Sequence, residues 1–541
     1  MDVTELAFPQ TNRFASGYTG GLRQVLSFFD YDYHQQTAFE KRLAELKERT
    51  FPREKLADVL LAYNRKFSPG DAVLANIGKI KQPGTAVVIG GQQAGVLTGP
   101  LYTIHKCLSI IRLAEEQQRL LGVPVVPVFW IAGEDHDFDE INHTYILQNN
   151  RPHKVAVPQS GPHKKSVSKI TLDKAEMRAW VANIVKSYGE TEHTRALFRL
   201  LEGAVEQSET FVDFFAYLVT ALFKEDGLVL IDSNDPGLRR LETPFFKDMI
   251  GRNRELNGAV SGRLQQLKAE GFEPPVDFEP ASAHLFYHVD DERVLLQRDE
   301  SGTFYGKNNE CKLTERELIK EAEDHPERMS NNVVTRPLMQ ELLFPTLAFI
   351  GGPGEIAYWG TLKEAFHIFG CGVPPVVPRL NITLVDRQTE KWLAGHDISA
   401  KKVIAEGVAL EKERWLSRQK QWDVEGTARR TKQEIDRAHE QMRKLALQID
   451  PHLEPLGRKN LEHLFLQIDY FSGKIEQSYR EPYERELKKF DRIEACLRPR
   501  HAPQERTWNV FPFVNRFGFD LISRLLATPF SLNGKHKMIV L

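Results

Sequence analysis

The chain has 541 residues, 41% of them hydrophobic and 27% charged, which exceeds what one hydrophobic core serves and excludes a disordered composition. Lysine plus arginine at 72 against 74 acids leaves a net charge of -2, so no global field exists to hold a nucleic acid or an anionic membrane. No apolar run approaches a membrane span, and MDVTELAFPQTNRF carries neither a basic nor an apolar signal segment, so a cytoplasmic protein of two or three units is expected.

Before residue 84 the chain reads as helices, with apolar residues three and four apart in QQTAFEKRLAELKERT and REKLADVLLAYNRKF. From Thr85 the run TAVVIGG, a helix-like LYTIHKCLSIIRLAEEQQRLL and the strand-like VVPVFWI form a β-α-β unit. VVPVFWI is apolar on both faces, as a strand covered on both sides must be, so a parallel, doubly wound α/β sheet is predicted. Gly227–Asp232 reads as a further strand, with Asn234 or Asp235 capping the next helix. FPTLAFIGG, EIAYWGTLKEAFHIF and GVPPVVPRL repeat the β-α-β layout. Between these halves, residues 144–224 and 242–334 read as insertions that shape a pocket.

Beyond Val385 the chain becomes charged and helical. Ile435, Ala438, Met442, Leu445 and Ile449 form one apolar seam; Leu461, Leu464, Ile468, Phe471 and Ile475 form a second, with DPHLEPLGRK as the turn. An antiparallel coiled-coil arm is predicted, and Trp415 and Trp422 add apolar surface for pairing with a second chain as a homodimer. The predicted organisation is therefore a core of 1–143, 225–241 and 335–385, insertions at 144–224 and 242–334, an arm at 386–498, and 499–541 returning to the core. Cys107, Cys311, Cys371 and Cys496 lack metal-ligand or disulfide-framework spacing and read as small hydrophobes.

Three segments carry chemistry. In GGQQAGVLTGPLYTIHK, at a strand-to-helix handover, glycines admit backbone N–H groups to an anion, and Gln92, Gln93, Thr98, His105 and Lys106 are candidate substrate contacts. Neither a GxGxxG nor a Walker pattern is present. In GEDHDFDEINH, the acids between Glu134 and Glu140 crowd a strand exit and need a cation, an ammonium or a lysine beside them. An amine held by Glu134 to Asp139, with Asp135, His136 and Asp137 as catalytic groups, fits best. A metal set of Asp135, His136, Asp137 and His143 matches no zinc spacing, and no metal site is predicted. The third segment, GGPGEIAYWG, places Gly351, Gly352, Gly354 and Glu355 at a helix start; with Arg379 and Asn381 they form the candidate nucleotide-binding set, and Arg336 is a further candidate anion contact. HKKSVSK, His163 to Lys169, is superficially similar to the lysine loop of class I aminoacyl-tRNA synthetases, but it lies in an insertion and in the wrong order.

Together, VIGGQQAGVLTGPLYTIHK, VPVVPVFWIAGEDHDFDEINH, GGPGEIAYW and PQERTWN resemble the cysteine-adding enzymes of bacillithiol biosynthesis over nearly the whole chain. The resemblance implies a low-GC Gram-positive source and a Rossmann-like core with connecting-peptide-like insertions. It also implies a coiled-coil dimerisation arm and a final step joining the cysteine carboxyl group to the amine of glucosaminyl malate. Activation by ATP with Mg²⁺, through an adenylate or an acyl phosphate, is the expected route to the amide. Two rival readings are a metal-dependent hydrolase using the acids and histidines of 134–143, and a non-catalytic dimeric scaffold; three glycine-rich strand exits argue against the scaffold.

Overall fold

The computed structural model describes residues 2–8, 12–159, 164–275, 279–419 and 422–541. His163 of the lysine-rich string, and positions 160–163 and 276–278 of the two insertions, lie outside the described residues. The chain forms two compact units: Met1–Gln148, Pro152–Val385 and Ala502–Leu541 make the first, Asn149–Arg151 and Asp386–His501 the second.

Five parallel strands organise the first unit: β1 Ala86–Gln92, β2 Val125–Ile131, β3 Val229–Asp232, β4 Thr346–Gly351 and β5 Val376–Pro378. Across the sheet they run β5-β4-β1-β2-β3. Side chains alternate between faces along a strand, yet every residue of β2, β3 and β4 is buried, so both faces are covered and these segments read as unbroken apolar runs. Helix α1, Leu101–Leu121, joins β1 to β2 and stops at Gly122, whose φ of 66° suits a residue without Cβ. Helix α2, Pro236–Gly251, follows β3; Asp235 caps it by accepting from the N–H groups of Gly237 and Leu238, and Pro236 occupies its first turn. Helix α3, Pro353–Trp359, follows β4. The order of strands reverses between β1 and β4, the doubly wound arrangement read from the sequence, and that reversal opens a crevice at the carboxyl edge.

The segment between β2 and β3 carries helices Lys174–Ser187, Thr194–Gln207 and Phe211–Leu222. The segment between α2 and β4 carries an antiparallel sheet ordered Lys312–Leu313, Phe304–Gly306, Glu292–Arg298, Ser282–Val289, Met329–Asn331. Its central hairpin turns through Asp290 and Asp291, both left-handed at φ 49° and 67°, the backbone of a two-residue turn matched to strand twist. That turn sets the register that places Arg293 opposite His288. A separate three-stranded sheet pairs Asp2–Leu6 antiparallel with His536–Val540, which runs parallel to Asn381–Val385.

In the second unit, helices α4, Val424–Ile449, and α5, Glu454–Arg480, form the antiparallel hairpin around a tight turn at Pro451–Leu453. The seam differs from the predicted one. Ile435, Leu461 and Ile468 are half-buried, but Ala438, Met442, Leu445 and Ile449 on α4, and Leu464, Phe471 and Ile475 on α5, are exposed. Polar and small residues share the inner face with them: the His439 ring bonds Asn460 Oδ1 at 2.9 Å, and the missing side chain of Gly457 leaves room for Arg443. That pairing turns the apolar stripe outward. Trp422 is exposed, whereas Trp415 packs on His396, Tyr483 and Phe490 within its own unit, so it does not offer the surface expected of it.

Candidate functional site

The crevice at the β1/β4 reversal is a cavity of about 480 Å³, within the range that holds a small-molecule substrate. One wall comes from the ends of β1 and β2, Gly91 to Gln93 and Ala132 to Asp137; the facing wall comes from the antiparallel insertion through Phe286, Arg293 and Asn331, and Arg336, Glu355 and Tyr358 complete the lining. Gly91 is required by close approach: a Cβ there would lie 2.7 Å from Trp130 O on the neighbouring strand.

Lys106 reaches this edge from α1. Its Nζ is buried and donates to Gly91 O at 2.6 Å, Gln92 Oε1 at 3.1 Å and Glu355 Oε2 at 2.6 Å. Burial holds Lys106 below the usual lysine range, opposed by the Glu355 carboxylate. Lys106 therefore ties β1 to α3 with all three of its donors used.

The acidic loop after β2 divides into inward and outward members. Glu134 turns in: it accepts from Arg239 Nη2 at 2.5 Å and from the Asn331 N–H at 3.1 Å, while Arg239 Nη1 donates to Glu242 at 2.6 Å. Asp135 faces the cavity, and its Oδ2 accepts from Gln93 Nε2 at 2.8 Å; the same Gln93 amide reaches Glu140 at 2.9 Å. His136 lies with Nδ1 3.3 Å from Arg293 Nη1. Burial, and then the Arg293 guanidinium, hold it below the ordinary histidine value. Asp137 is more than half exposed, and its Oδ1 stands 3.8 Å from His136 Nε2. The cations that the acid cluster requires are thus Arg239 and Arg293. Among the described residues no three His, Cys, Asp or Glu side chains converge as a metal set; His143 packs against Tyr145 and does not line the cavity.

Gln92, Gln93, Lys106, Glu134, Asp135, His136, Asp137 and Glu355 are therefore brought together by the fold, whereas other predicted contacts are not. Thr98 is fully buried in a left-handed conformation at φ 68°. His105 is its neighbour's opposite: successive helical residues point about 100° apart, so as Lys106 faces Gly91, His105 faces Glu505, and burial pushes it down to about 3. Asp139 is exposed and accepts from Asn142 at 3.3 Å. Arg379 is buried against Glu505 at 2.9 Å, and Asn381 opens the strand that pairs with His536–Val540. The Gly352 N–H donates to Glu355 Oε2 at 2.8 Å, and Gly351 O accepts from the Arg379 N–H at 2.9 Å. The Glu355 carboxylate thus occupies the Gly352 N–H that an anion would otherwise take, and of Gly351, Gly352, Gly354, Glu355, Arg379 and Asn381 only Glu355 lines the cavity.

Sequence reasoning missed Arg293, Asn331, Phe286, Trp130 and Tyr358. Trp130 Nε1 and both polar atoms of the Asn331 amide are buried with no hydrogen-bond partner among the described residues, the condition of groups that a ligand completes. Arg336 donates to Gln340 and Tyr358 and has no carboxylate within ion-pair distance among the described residues. Its half-buried charge is the cavity's uncompensated cation, and burial pushes the neighbouring Tyr358 hydroxyl up to about 12, so it stays protonated as a donor.

Comparison with known proteins matches residues 1–380 to the family model "Bacillithiol biosynthesis BshC, N-terminal Rossmann-like domain" and residues 382–541 to "Bacillithiol biosynthesis BshC, C-terminal coiled-coil domain". Proteins named "Putative cysteine ligase BshC" from Geobacillus sp. (strain WCH70), Geobacillus thermodenitrificans and Bacillus cereus are 43%, 44% and 43% identical, each over 100% of both chains. No helix among the described residues is long and apolar enough to cross a membrane. With both halves matched and relatives aligned end to end, this chain belongs to the BshC family of bacillithiol biosynthesis.

Proposed function

We propose that this chain is the ligase that joins the carboxyl group of cysteine to the amine of glucosaminyl malate, with ATP and Mg²⁺ as the source of activation. The observation that carries the reading is the division of charge in the cavity. Asp137, more than half exposed, stands on one wall, where an amine is received, and Arg336, with no carboxylate within ion-pair distance among the described residues, stands on another, where a carboxylate is received. An amino sugar linked to malate carries both groups. The names of the relatives supply cysteine as the second substrate. A free carboxylate does not form an amide unaided, and ATP supplies the leaving group; no residue is assigned to it, because of the predicted nucleotide-binding set only Glu355 lines the cavity. The reading places the protein in the cytoplasm, where its free cysteines stay reduced.

Purified protein incubated with cysteine and glucosaminyl malate is expected to release the cysteinyl product, detected by mass spectrometry, only when ATP and Mg²⁺ are present. Absence of product under every condition would overturn the assignment.

The arm is proposed to pair with a second copy of the chain. Met442, Leu445, Ile449, Leu456, Leu466 and Phe471 are all exposed on α4 and α5, a larger apolar stripe than a lone helical hairpin leaves in water. Sedimentation velocity is expected to give the mass of a dimer, and Leu445→Glu with Phe471→Glu to give a monomer; a wild-type monomer at micromolar concentration excludes the pairing.

A further inference from the structure

The neighbours of His136 decide which of its nitrogens carries the proton. Arg293 Nη1 approaches His136 Nδ1 at 3.3 Å. A guanidinium has only donors, so Nδ1 must be the acceptor, and the neutral ring then carries its hydrogen on Nε2. Arg293 has little freedom to turn away. Its Nε donates to Ser330 Oγ at 3.2 Å, its Nη2 to Asn331 O at 2.5 Å, and its guanidinium carbon lies 3.7 Å from the Phe286 ring centroid. All three anchors belong to the antiparallel insertion.

The charged groups around the ring do not reverse this. They are Asp135 and Asp137 from the loop after β2, Arg293 from the hairpin, and Lys164 from the first insertion. Asp135 Oδ1 stands 3.8 Å from Nδ1 and accepts the His136 backbone N–H at 2.8 Å, while its Oδ2 accepts from Gln93. Asp137 Oδ1, 3.8 Å from Nε2, is too far for a hydrogen bond. Asp135 thus has both oxygens engaged, and Asp137 is the carboxylate turned to solvent and cavity.

We infer that Arg293 is a positioning residue that fixes His136 as a hydrogen-bond donor through Nε2, and that Asp137, rather than His136, takes the proton from the attacking amine. The inference rests on the ligase reading. The neutral amine of glucosaminyl malate forms the C–N bond to the acyl carbon of activated cysteine, and the carbonyl electron pair moves onto its oxygen, where His136 Nε2–H holds it. One amine proton passes to Asp137. The carbonyl then re-forms as the C–O bond to the phosphate-type leaving group supplied by ATP breaks, and that group departs with the electron pair.

The experiment combines ¹⁵N-histidine NMR of the free full-length protein, His136→Gln serving to assign the signal, with turnover of His136→Ala, His136→Gln and Arg293→Gln. The expected spectrum has His136 protonated on Nε2 alone, becoming a mixture of tautomers with a higher titration midpoint in Arg293→Gln. Glutamine offers an amide N–H near the place of Nε2–H but cannot act as a base. His136→Ala is therefore expected to lose about 10²–10³-fold in kcat, with His136→Gln recovering most of it. A wild-type signal protonated on Nδ1, or a His136→Gln enzyme as slow as His136→Ala, overturns the inference. The NMR result needs no substrate, so it is read separately from a wild-type protein that makes no product, which would instead sink the ligase reading.

Discussion

Replacing Arg239 with methionine is expected to destabilise the protein by about 3–5 kcal/mol, the usual cost of removing one member of a buried ion network. Arg239 is fully buried between Glu134 at 2.5 Å and Glu242 at 2.6 Å, both also buried. Methionine fills much of the volume but leaves two carboxylates without their cation. Urea unfolding followed by tryptophan fluorescence measures the loss, and a change below about 1 kcal/mol would contradict the network's importance. The same cluster gives stability a pH slope. Burial pushes Glu242 up to about 7 from 4.5, so between those values the folded chain holds a proton that the unfolded chain has released. Stability from this group is therefore greatest at the acid end, falls as pH rises towards 7, and is flat above. Glu242→Gln, which leaves Arg239 paired with Glu134, is expected to flatten that slope.

Lys106→Met is expected to cost about 3 kcal/mol, at the lower end for a buried pair, because Glu355 retains 22% side-chain exposure against 1% for Lys106. The variant strips Glu355, Gly91 O and Gln92 of their shared donor. Adding Glu355→Gln removes the stranded charge while keeping an acceptor for the Gly352 N–H, so the double variant is expected to recover most of the loss. A double variant no more stable than Lys106→Met alone would show that the ion pair is not what holds β1 to α3.

The strands were legible because burial on both faces leaves an unmistakable local trace: VVIGG, VVPVFWI and TLAFIGG stand as β1, β2 and β4. The acidic loop was legible for a complementary reason, since a cluster such as Glu134 to Glu140 demands compensation somewhere. The compensating residues were not legible. Arg239 and Arg293 lie 105 and 157 positions from the residues they hold, Glu134 and His136, and only the tertiary fold brings them in. Arg293 sits in the strand ERVLLQR, where nothing local separates it from a solvated arginine. His105 failed for a geometric reason: a glycine-rich loop followed by His-Lys suggests two contacts, but one helix face can present only one of two adjacent residues. The arm shows the same limit at longer range, since a three-and-four spacing identifies an apolar stripe without saying whether the partner helix or another molecule covers it.

Among the described residues the strand Asp2–Leu6 pairs only with His536–Val540. During synthesis the five-stranded sheet has all its strands once residue 378 has emerged, but the strand at Asp2–Leu6 must wait until His536–Val540 has been made, after the arm. A waiting strand is a hazard, because an unpaired edge can recruit another nascent chain. Here four of its five residues are exposed even after pairing, and two of the five are acids, Asp2 and Glu5. Glu5 is held down to about 2 chiefly by its bond to Lys537, so the charge that guards the strand while it waits becomes the clasp that closes it.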